Sequence, residues 1–228
     1  MSKSTRNDIK TLAYVLRRTN YGEADRILNI ITPNGKMSAI AKGARKEKSK
    51  LAGGIEMFSL VELNIHEGKS DLYTITSAKM LKYYNNLLVD LGKMELVATI
   101  LKKVSLVAEH SDSVEYFKIV DQTMKALNSG ITNELVETWF YLNFAKATGE
   151  QVNLFFDLNG DKLSENERYS WDTMEGALFR NPDGEVDAGA IKSMRLMLTV
   201  GLDVSCRVKG IEKYLPTILR IARAVNKI

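Results

Sequence analysis

The feature that most constrains the fold is a change of hydrophobic period near residue 80. Before it, short runs of apolar and β-branched residues are separated by turn signals such as Pro33-Asn34-Gly35, a pattern typical of paired β-strands. We predict five strands, over residues 11–18, 26–32, 36–41, 58–65 and 72–76. The segment Glu67-Gly68-Lys69-Ser70 is predicted to close the last hairpin. Five strands in about 70 residues suit a small closed barrel such as the OB-fold.

From Ala78 onward, apolar residues recur at three- and four-residue spacing, which predicts helices. The predicted helices cover residues 80–91, 94–110, 112–129, 132–148, 188–202 and 211–226. Asp112, followed three residues later by Glu115, has the pattern of an N-cap. Residues 150–187 lose the period and gather turn pairs, so we expect an irregular insert. The expected fold class is α+β, with an OB-fold barrel over residues 1–79 and an all-helical domain over residues 80–228.

Positive charge is concentrated in residues 36–50. This stretch holds six cations and a single anion, Glu47. The cations are Lys36, Lys42, Arg45, Lys46, Lys48 and Lys50. Residues 1–83 carry a net charge of +7, whereas residues 84–228 carry −3. Because like charges repel, a surface that keeps them together usually has an anionic partner. A solvated charge run is the alternative for this stretch taken alone.

A barrel makes the basic cluster more informative, because proteins that bind single-stranded nucleic acid combine a cationic groove with aromatic platforms. Arg17 and Arg18 end the first predicted strand and Arg26 opens the second, so we expect them to edge the same surface as the loop cations. The aromatic candidates for contacting a ligand are Tyr14, Tyr21, Phe58 and Tyr73. Among these, we expect Phe58 to lie in the core.

Composition is that of a soluble globular protein, with 45% hydrophobic and 26% charged residues. No apolar run reaches the length of a membrane span, and the first ten residues lack the apolar core of a secretory signal. The single cysteine, Cys206, gives no sign of an oxidising compartment. We therefore expect a cytoplasmic protein without a membrane partner.

Residues with catalytic or metal-binding chemistry are few. His66, His110 and Cys206 are too few for a structural zinc site. Phosphate-loop and nucleophile-elbow motifs do not occur. These observations favour a binding protein with no cofactor over an enzyme. An enzymatic site assembled from distant residues, for example within residues 150–187, stays as an alternative.

Three segments carry a resemblance to a known family. They are YVLRRTNYGEADRILNIIT (14–32), GKMSAIAKGARKEKSKLAGGIEMFSLVEL (35–63) and GKSDLYTITSAKML (68–81). In their order and spacing, they resemble the RecO family of bacterial recombination mediators. The pairing of Y-G-E-x-D-R with A-K-G-A-R-K-x-K-S-K-L is the most specific part, whereas the helical remainder agrees in layout only.

The resemblance implies an N-terminal OB-fold, a helical C-terminal domain and a role in DNA repair and recombination. It implies binding of single- and double-stranded DNA and annealing of strands coated by single-stranded DNA-binding protein (SSB). It also implies docking of the acidic SSB C-terminal tail and work with RecR to help load RecA. By motif position, the DNA contacts would be Arg26, Lys42, Arg45, Lys46, Lys48 and Lys50.

Many members of this family hold a four-cysteine zinc module in the stretch that matches residues 150–187. Here that stretch contains no cysteine, and Phe155, Phe156 and Asp157 stand near the expected first pair. The resemblance thus implies the zinc-free form. An alternative from a different class is a non-catalytic assembly adaptor whose basic loop binds an acidic partner.

Overall fold

The structure is a computed structural model that describes residues 8–67, 72–107 and 114–226. The predictions made for Gly68 to Ser70, for His110 and for Asp112 lie outside these residues. The chain divides into two compact units, residues 1–124 and residues 125–228. Strands dominate the start of the chain and helices the remainder, which agrees with the α+β fold class.

Five strands form a closed barrel in the order β1-β2-β3-β5-β4. The strands are β1 (Asp8–Tyr21), β2 (Asp25–Thr32), β3 (Gly35–Ala41), β4 (Ser59–His66) and β5 (Leu72–Tyr83). Neighbouring strands are antiparallel, except that β3 and β5 run parallel. Each of the five predicted strands is therefore present, and β1 and β5 are longer than predicted.

Alternate residues of each strand fill the barrel, as the two-residue period of a strand requires. Leu28 and Ile30 of β2 pack with Ala39 of β3 and with Leu63 and Ile65 of β4, and all five are fully buried. The residues between them point outward. The core is therefore built from the apolar half of the alternation that the sequence displays.

The predicted helix over residues 80–91 is wrong, because residues 80–83 end β5 and α1 begins only at Leu91. Met80 and Tyr83 are strand residues of β5 that pair with Val61 and Ser59 of β4. Pairing with β4 satisfies their backbone groups, and this tertiary context overrides the local helical spacing. A short 3-10 turn, Asn85–Leu87, follows. A domain boundary after residue 79 stays a prediction.

Two helices belong wholly or partly to the first unit, α1 (Leu91–Val107) and α2 (Glu115–Asn128). A buried tyrosine of β1, Tyr14, connects α2 to the barrel. Its hydroxyl donates to Asp121 Oδ1 at 2.8 Å and lies 2.8 Å from the Tyr84 hydroxyl. Its ring packs against Phe117 with 5.5 Å between ring centroids. Burial, followed by the Tyr84 hydroxyl and Asp121, raises the pKa of Tyr14 well above its ordinary value.

Replacing Tyr14 by phenylalanine should lower the free energy of unfolding by about 1–2 kcal/mol at neutral pH, because buried polar groups lose their partner. Because the pKa of Tyr14 is higher in the folded state, its hydroxyl contributes its full stabilisation at pH values below the unfolded-state pKa of about 10. That stabilisation is lost as pH rises above this value. The stability difference between the wild type and Tyr14→Phe should therefore shrink above that pH. Urea unfolding between pH 8 and pH 11 measures it, and a constant difference would contradict this role of the hydroxyl.

The second unit contains α3 (Asn133–Thr148), α4 (Ala188–Thr199), the short α5 (Leu202–Ser205) and α6 (Leu215–Val225). The predicted stripe of Leu135, Trp139 and Leu142 is buried, as expected of core residues. At the end of α6, the Asn226 amide donates to the Tyr141 carbonyl at 3.0 Å. Across the described residues, no helix has the length and apolar character needed to cross a membrane.

Between α3 and α4 lies the irregular insert, which contains a hairpin of β6 (Tyr169–Asp172) and β7 (Ala177–Arg180). Side chains close its turns. Asp157 Oδ1 accepts from the backbone N–H groups of Asn159 and Asp161, each at 3.0 Å. Such side-chain turns stabilise a segment that has little regular structure.

Candidate nucleic-acid interface

The segment between β3 and β4 begins with the basic loop, defined here as residues 42–50. Ala44 within it is buried in the barrel core, and Ile55 beyond it is fully buried there. Leu51 and Met57 pack against the same core. The loop is therefore anchored by apolar residues at the end of the barrel and is not a free tail.

A close backbone contact fixes the far end of this segment. Gly54 lies in the 3-10 turn Ala52–Gly54, and a Cβ built on it would be 2.5 Å from the carbonyl oxygen of Ala78 in β5. Only glycine permits this approach without a shift of the backbone. The contact holds the 3-10 turn that follows the basic loop against β5.

Four lysines of the basic loop are exposed. They are Lys42, Lys46, Lys48 and Lys50. Within residues 8–67, 72–107 and 114–226, none of the four forms an ion pair. The anchored backbone keeps these cations together despite their repulsion, which creates a positive potential suited to a polyanion.

Arg45 has a different environment from the four lysines. Its guanidinium is half-buried and donates to the carbonyl oxygens of Gly22, at 3.0 Å, and Glu23. Its backbone N–H donates to the Ala24 carbonyl at 2.8 Å, and the N–H of Gly43 donates to Asp25 Oδ1 at 2.7 Å. These four hydrogen bonds hold the β1–β2 turn to the basic loop.

The three arginines of β1 and β2 do not share one face. Arg18 pairs with Leu28, and Arg26 pairs with Ala41, so these two arginines lie on the face that continues the barrel interior. Arg17 pairs with Asn29 and points to the opposite face. Arg18 also forms an ion pair with Glu56 at 2.7 Å. Arg18 and Arg26 thus share one face of the barrel and Arg17 lies on the other; a common edge with the loop cations stays a prediction.

Lys36 lies away from the basic loop. It stands near the start of β3, whereas the loop follows Ala41 at the end of that strand. The separation is about 17 Å at the usual rise of a strand. The Lys36 ammonium donates to the Ser105 carbonyl in the last turn of α1 at 2.7 Å. The structure does not bring Lys36 together with the loop lysines.

Two exposed cations on β5, Lys79 and Lys82, were not among the predicted site residues. Lys79 follows Ala78, the residue against which Gly54 packs. These lysines add two positive charges to the exposed surface of the first unit. Lys82 was not considered as a site residue because residue 80 onward was predicted to be helical. A correct strand prediction would have placed Lys82 at an exposed position of the barrel.

The four aromatic candidates differ in exposure. Tyr14 is fully buried, and Tyr73 packs partly buried against the barrel core. Phe58, expected in the core, is only half-buried and has a left-handed backbone with φ of 58°. Tyr21, the last residue of β1, is 55% exposed. Of the four, Tyr21 is the ring that solvent or a ligand reaches most easily.

The insert does not offer the ligands of a four-cysteine zinc module. Residues 150–187 contain no cysteine. Asp157 is nearly buried, and one of its oxygens already accepts two backbone N–H groups. No group of three or more His, Cys, Asp or Glu within the described part of the chain could hold a metal ion. The donor chemistry of this segment therefore does not fit such a module.

The structure thus defines a small closed β-barrel protein with an anchored, exposed basic loop between β3 and β4. Residues 6–84 match the family described as Recombination protein O N terminal. DNA repair protein RecO of Alkaliphilus metalliredigens is 30% identical over 187 residues, covering 81% of this chain and 75% of that protein. The chain belongs to the RecO family.

Other relatives match over shorter lengths. DNA repair protein RecO of Roseiflexus sp. is 33% identical over 147 residues, which are 64% of this chain and 52% of that protein. The relative from Acetivibrio thermocellus is 37% identical over 100 residues, which are 43% of this chain and 39% of that protein. Relative to several family members, the chain thus spans only about half of their length.

Proposed function

We propose that the chain is a DNA repair and recombination mediator. It binds single- and double-stranded DNA, anneals complementary SSB-coated strands and, together with RecR, helps to load RecA. The observation that carries this proposal is the anchored basic loop with its four exposed lysines, in a chain whose relatives are named DNA repair proteins. Docking of the SSB C-terminal tail belongs to the same proposal.

We further infer that the barrel is an OB-fold. Strand β1 pairs with both β2 and β4, and β3 pairs with β5, which closes the order β1-β2-β3-β5-β4. A five-stranded Greek-key barrel of this kind binds oligonucleotides on the face of strands 2 and 3 and through the β1–β2 and β4–β5 loops. The basic loop is the β3–β4 connection, and its Arg45 donates hydrogen bonds to the β1–β2 turn.

The mechanism is electrostatic and breaks no covalent bond. Exposed lysines neutralise phosphates on one strand and release their counterions. When a second strand reaches the same surface, its repulsion from the first is reduced and its local concentration is raised. Complementary bases then pair without any contribution from ATP, a metal or a cofactor. Because phosphates carry no sequence information, annealing should proceed with unrelated sequences.

Annealing of two complementary labelled oligonucleotides, each pre-coated with SSB, tests the proposal. We expect the wild type to accelerate annealing and Lys46→Gln/Lys48→Gln to lose most of that acceleration. The matched control is Lys10→Gln/Lys118→Gln, which changes net charge equally at two exposed lysines outside the loop. Equal loss in both double variants would contradict a role of the basic loop, and no acceleration by the wild type would contradict annealing itself.

A second candidate, the assembly adaptor, uses the same four lysines to bind an acidic protein segment. Their shared positive potential does not distinguish a carboxylate-rich peptide from a phosphate backbone. Competition separates the two functions. If a single DNA strand fails to displace an acidic partner from the protein and the Lys46→Gln/Lys48→Gln variant releases that partner, the adaptor function is favoured.

A further inference from the structure

The β1–β2 turn follows an exposed aromatic ring and is held to the basic loop by hydrogen bonds. Tyr21 ends β1 and is 55% exposed. Among the residues that the structure describes, its hydroxyl has no hydrogen-bond partner. The carbonyl oxygens of the next three residues, Gly22 to Ala24, all accept hydrogen bonds from Arg45. The guanidinium donates to the first two and the backbone N–H to the third. The turn that follows an exposed aromatic ring is therefore fixed in place.

Pairing across the strands places this ring beside the basic loop. Tyr21 pairs with Asp25 at the end of the β1–β2 ladder. The Asp25 carboxylate in turn accepts from the N–H of Gly43, the residue after Lys42. Opposed side chains of an antiparallel pair have Cβ atoms about 5 Å apart. The Tyr21 ring is thus one residue pair away from the loop that carries the four lysines.

Arg45 is occupied by this arrangement. A guanidinium is a rigid planar group, and one of its nitrogens, Nη2, donates here to the carbonyl oxygens of both Gly22 and Glu23. A lysine ammonium is a point charge on a flexible stem and lacks that rigid plane. The half-buried Arg45 is therefore suited to orient the turn, while the exposed lysines around it are suited to contact phosphates.

We propose that Tyr21 is a stacking platform for an unpaired base and that Arg45 is the residue that positions it. The proposal rests on the proposed DNA-binding function and adds to it a preference for single strands. Lysines that contact phosphates do not distinguish a single strand from a duplex in this way. A tyrosine ring stacks on any base whose face is exposed, and bases in a duplex are already stacked on each other.

The test compares variants on an oligothymidine that carries one 2-aminopurine and on a duplex of the same length. Tyr21→Ala should weaken single-strand binding about tenfold and abolish stacking-dependent quenching of 2-aminopurine. The slope of log affinity against log salt should stay unchanged, since no cation is lost. Duplex binding should change less than about twofold, and Tyr21→Phe should retain both affinity and quenching.

Lys46→Gln provides the opposite signature, with a flatter salt dependence on both the single strand and the duplex. Arg45→Lys separates positioning from phosphate contact, because it keeps the charge and removes the rigid planar guanidinium. We expect Arg45→Lys to lose 2-aminopurine quenching, as Arg45→Ala does. Once the Tyr21 ring is absent, the charge of residue 45 should not matter, so Tyr21→Ala/Arg45→Ala should bind single strands no more weakly than Tyr21→Ala/Arg45→Lys. Thermal unfolding confirms that each variant is folded.

Three results would overturn the proposal. Unchanged single-strand affinity of Tyr21→Ala, with salt-dependent binding by the wild type, would remove the platform and leave the DNA-binding function intact. Full quenching by Arg45→Lys would remove the positioning role of Arg45. Failure of the wild type to bind either DNA would reject the proposed function, and the platform with it.

Discussion

Reversing Lys42, Lys46 and Lys48 to glutamate together should weaken binding to a single DNA strand by about a hundredfold or more. Each lysine is exposed on the anchored loop. A charge-assisted contact to a phosphate contributes about 1 kcal/mol or more, and 1.4 kcal/mol corresponds to a tenfold change in affinity. The glutamates would also repel the phosphates that the lysines attract.

Salt dependence gives the same prediction a second, independent readout. Each phosphate neutralised on a single strand contributes about −0.7 to the slope of log affinity against log salt. Four exposed lysines therefore predict a slope of about −3 for the wild type. In the triple variant, this slope should be smaller in magnitude by about 2. The control is Lys10→Glu/Lys102→Glu/Lys118→Glu, which makes the same charge change at exposed lysines outside the loop. Equal weakening by the control would attribute binding to net charge alone.

Replacing Gly54 by alanine should lower the free energy of unfolding by about 3 kcal/mol, near the upper end for overpacking. The new Cβ would lie 2.5 Å from the Ala78 carbonyl oxygen and 2.6 Å from its carbon. Both are backbone atoms of β5, so relief requires a strand or the loop anchor to move. Because the same glycine lies in the segment that anchors the basic loop, DNA affinity should fall as well.

Gly53 offers a matched control for Gly54 within the same 3-10 turn. A Cβ on Gly53 would meet nothing within 4 Å, and the residue is exposed. Gly53→Ala should therefore change stability by less than about 0.5 kcal/mol. Urea unfolding of both variants measures the difference. Equal stability of Gly53→Ala and Gly54→Ala would show that the loop segment is not packed against β5 as described.

The strands were predictable because their alternation is local. In β4, Val61, Leu63 and Ile65 alternate with the polar Glu62, Asn64 and His66 in the sequence itself, and the Pro33-Asn34-Gly35 signal stands between β2 and β3. The residues 80–83 were misassigned because their spacing satisfies a helix, whereas their pairing partners lie in β4. Pairing over such a distance along the chain is set by the whole barrel and not by the local period.

The exposed lysines of the loop were predictable in kind, since a run of lysines is rarely buried. The partners of the other cations were not. Lys36 reaches Ser105, Arg18 reaches Glu56 and Arg45 reaches Gly22. Each of these contacts joins residues far apart in the chain, so no local pattern distinguishes a structural arginine from one that faces a phosphate.

Acetylation of lysines with a soluble ester, read by mass spectrometry with and without a single-stranded oligothymidine, shows which lysines DNA covers. We expect DNA to protect Lys42, Lys46, Lys48 and Lys50, all exposed in the free protein. Lys10 and Lys118, exposed elsewhere on the same unit, should react equally in both samples. Protection of Lys10 and Lys118 with an unprotected loop would contradict the assignment of the basic loop as the DNA-binding surface.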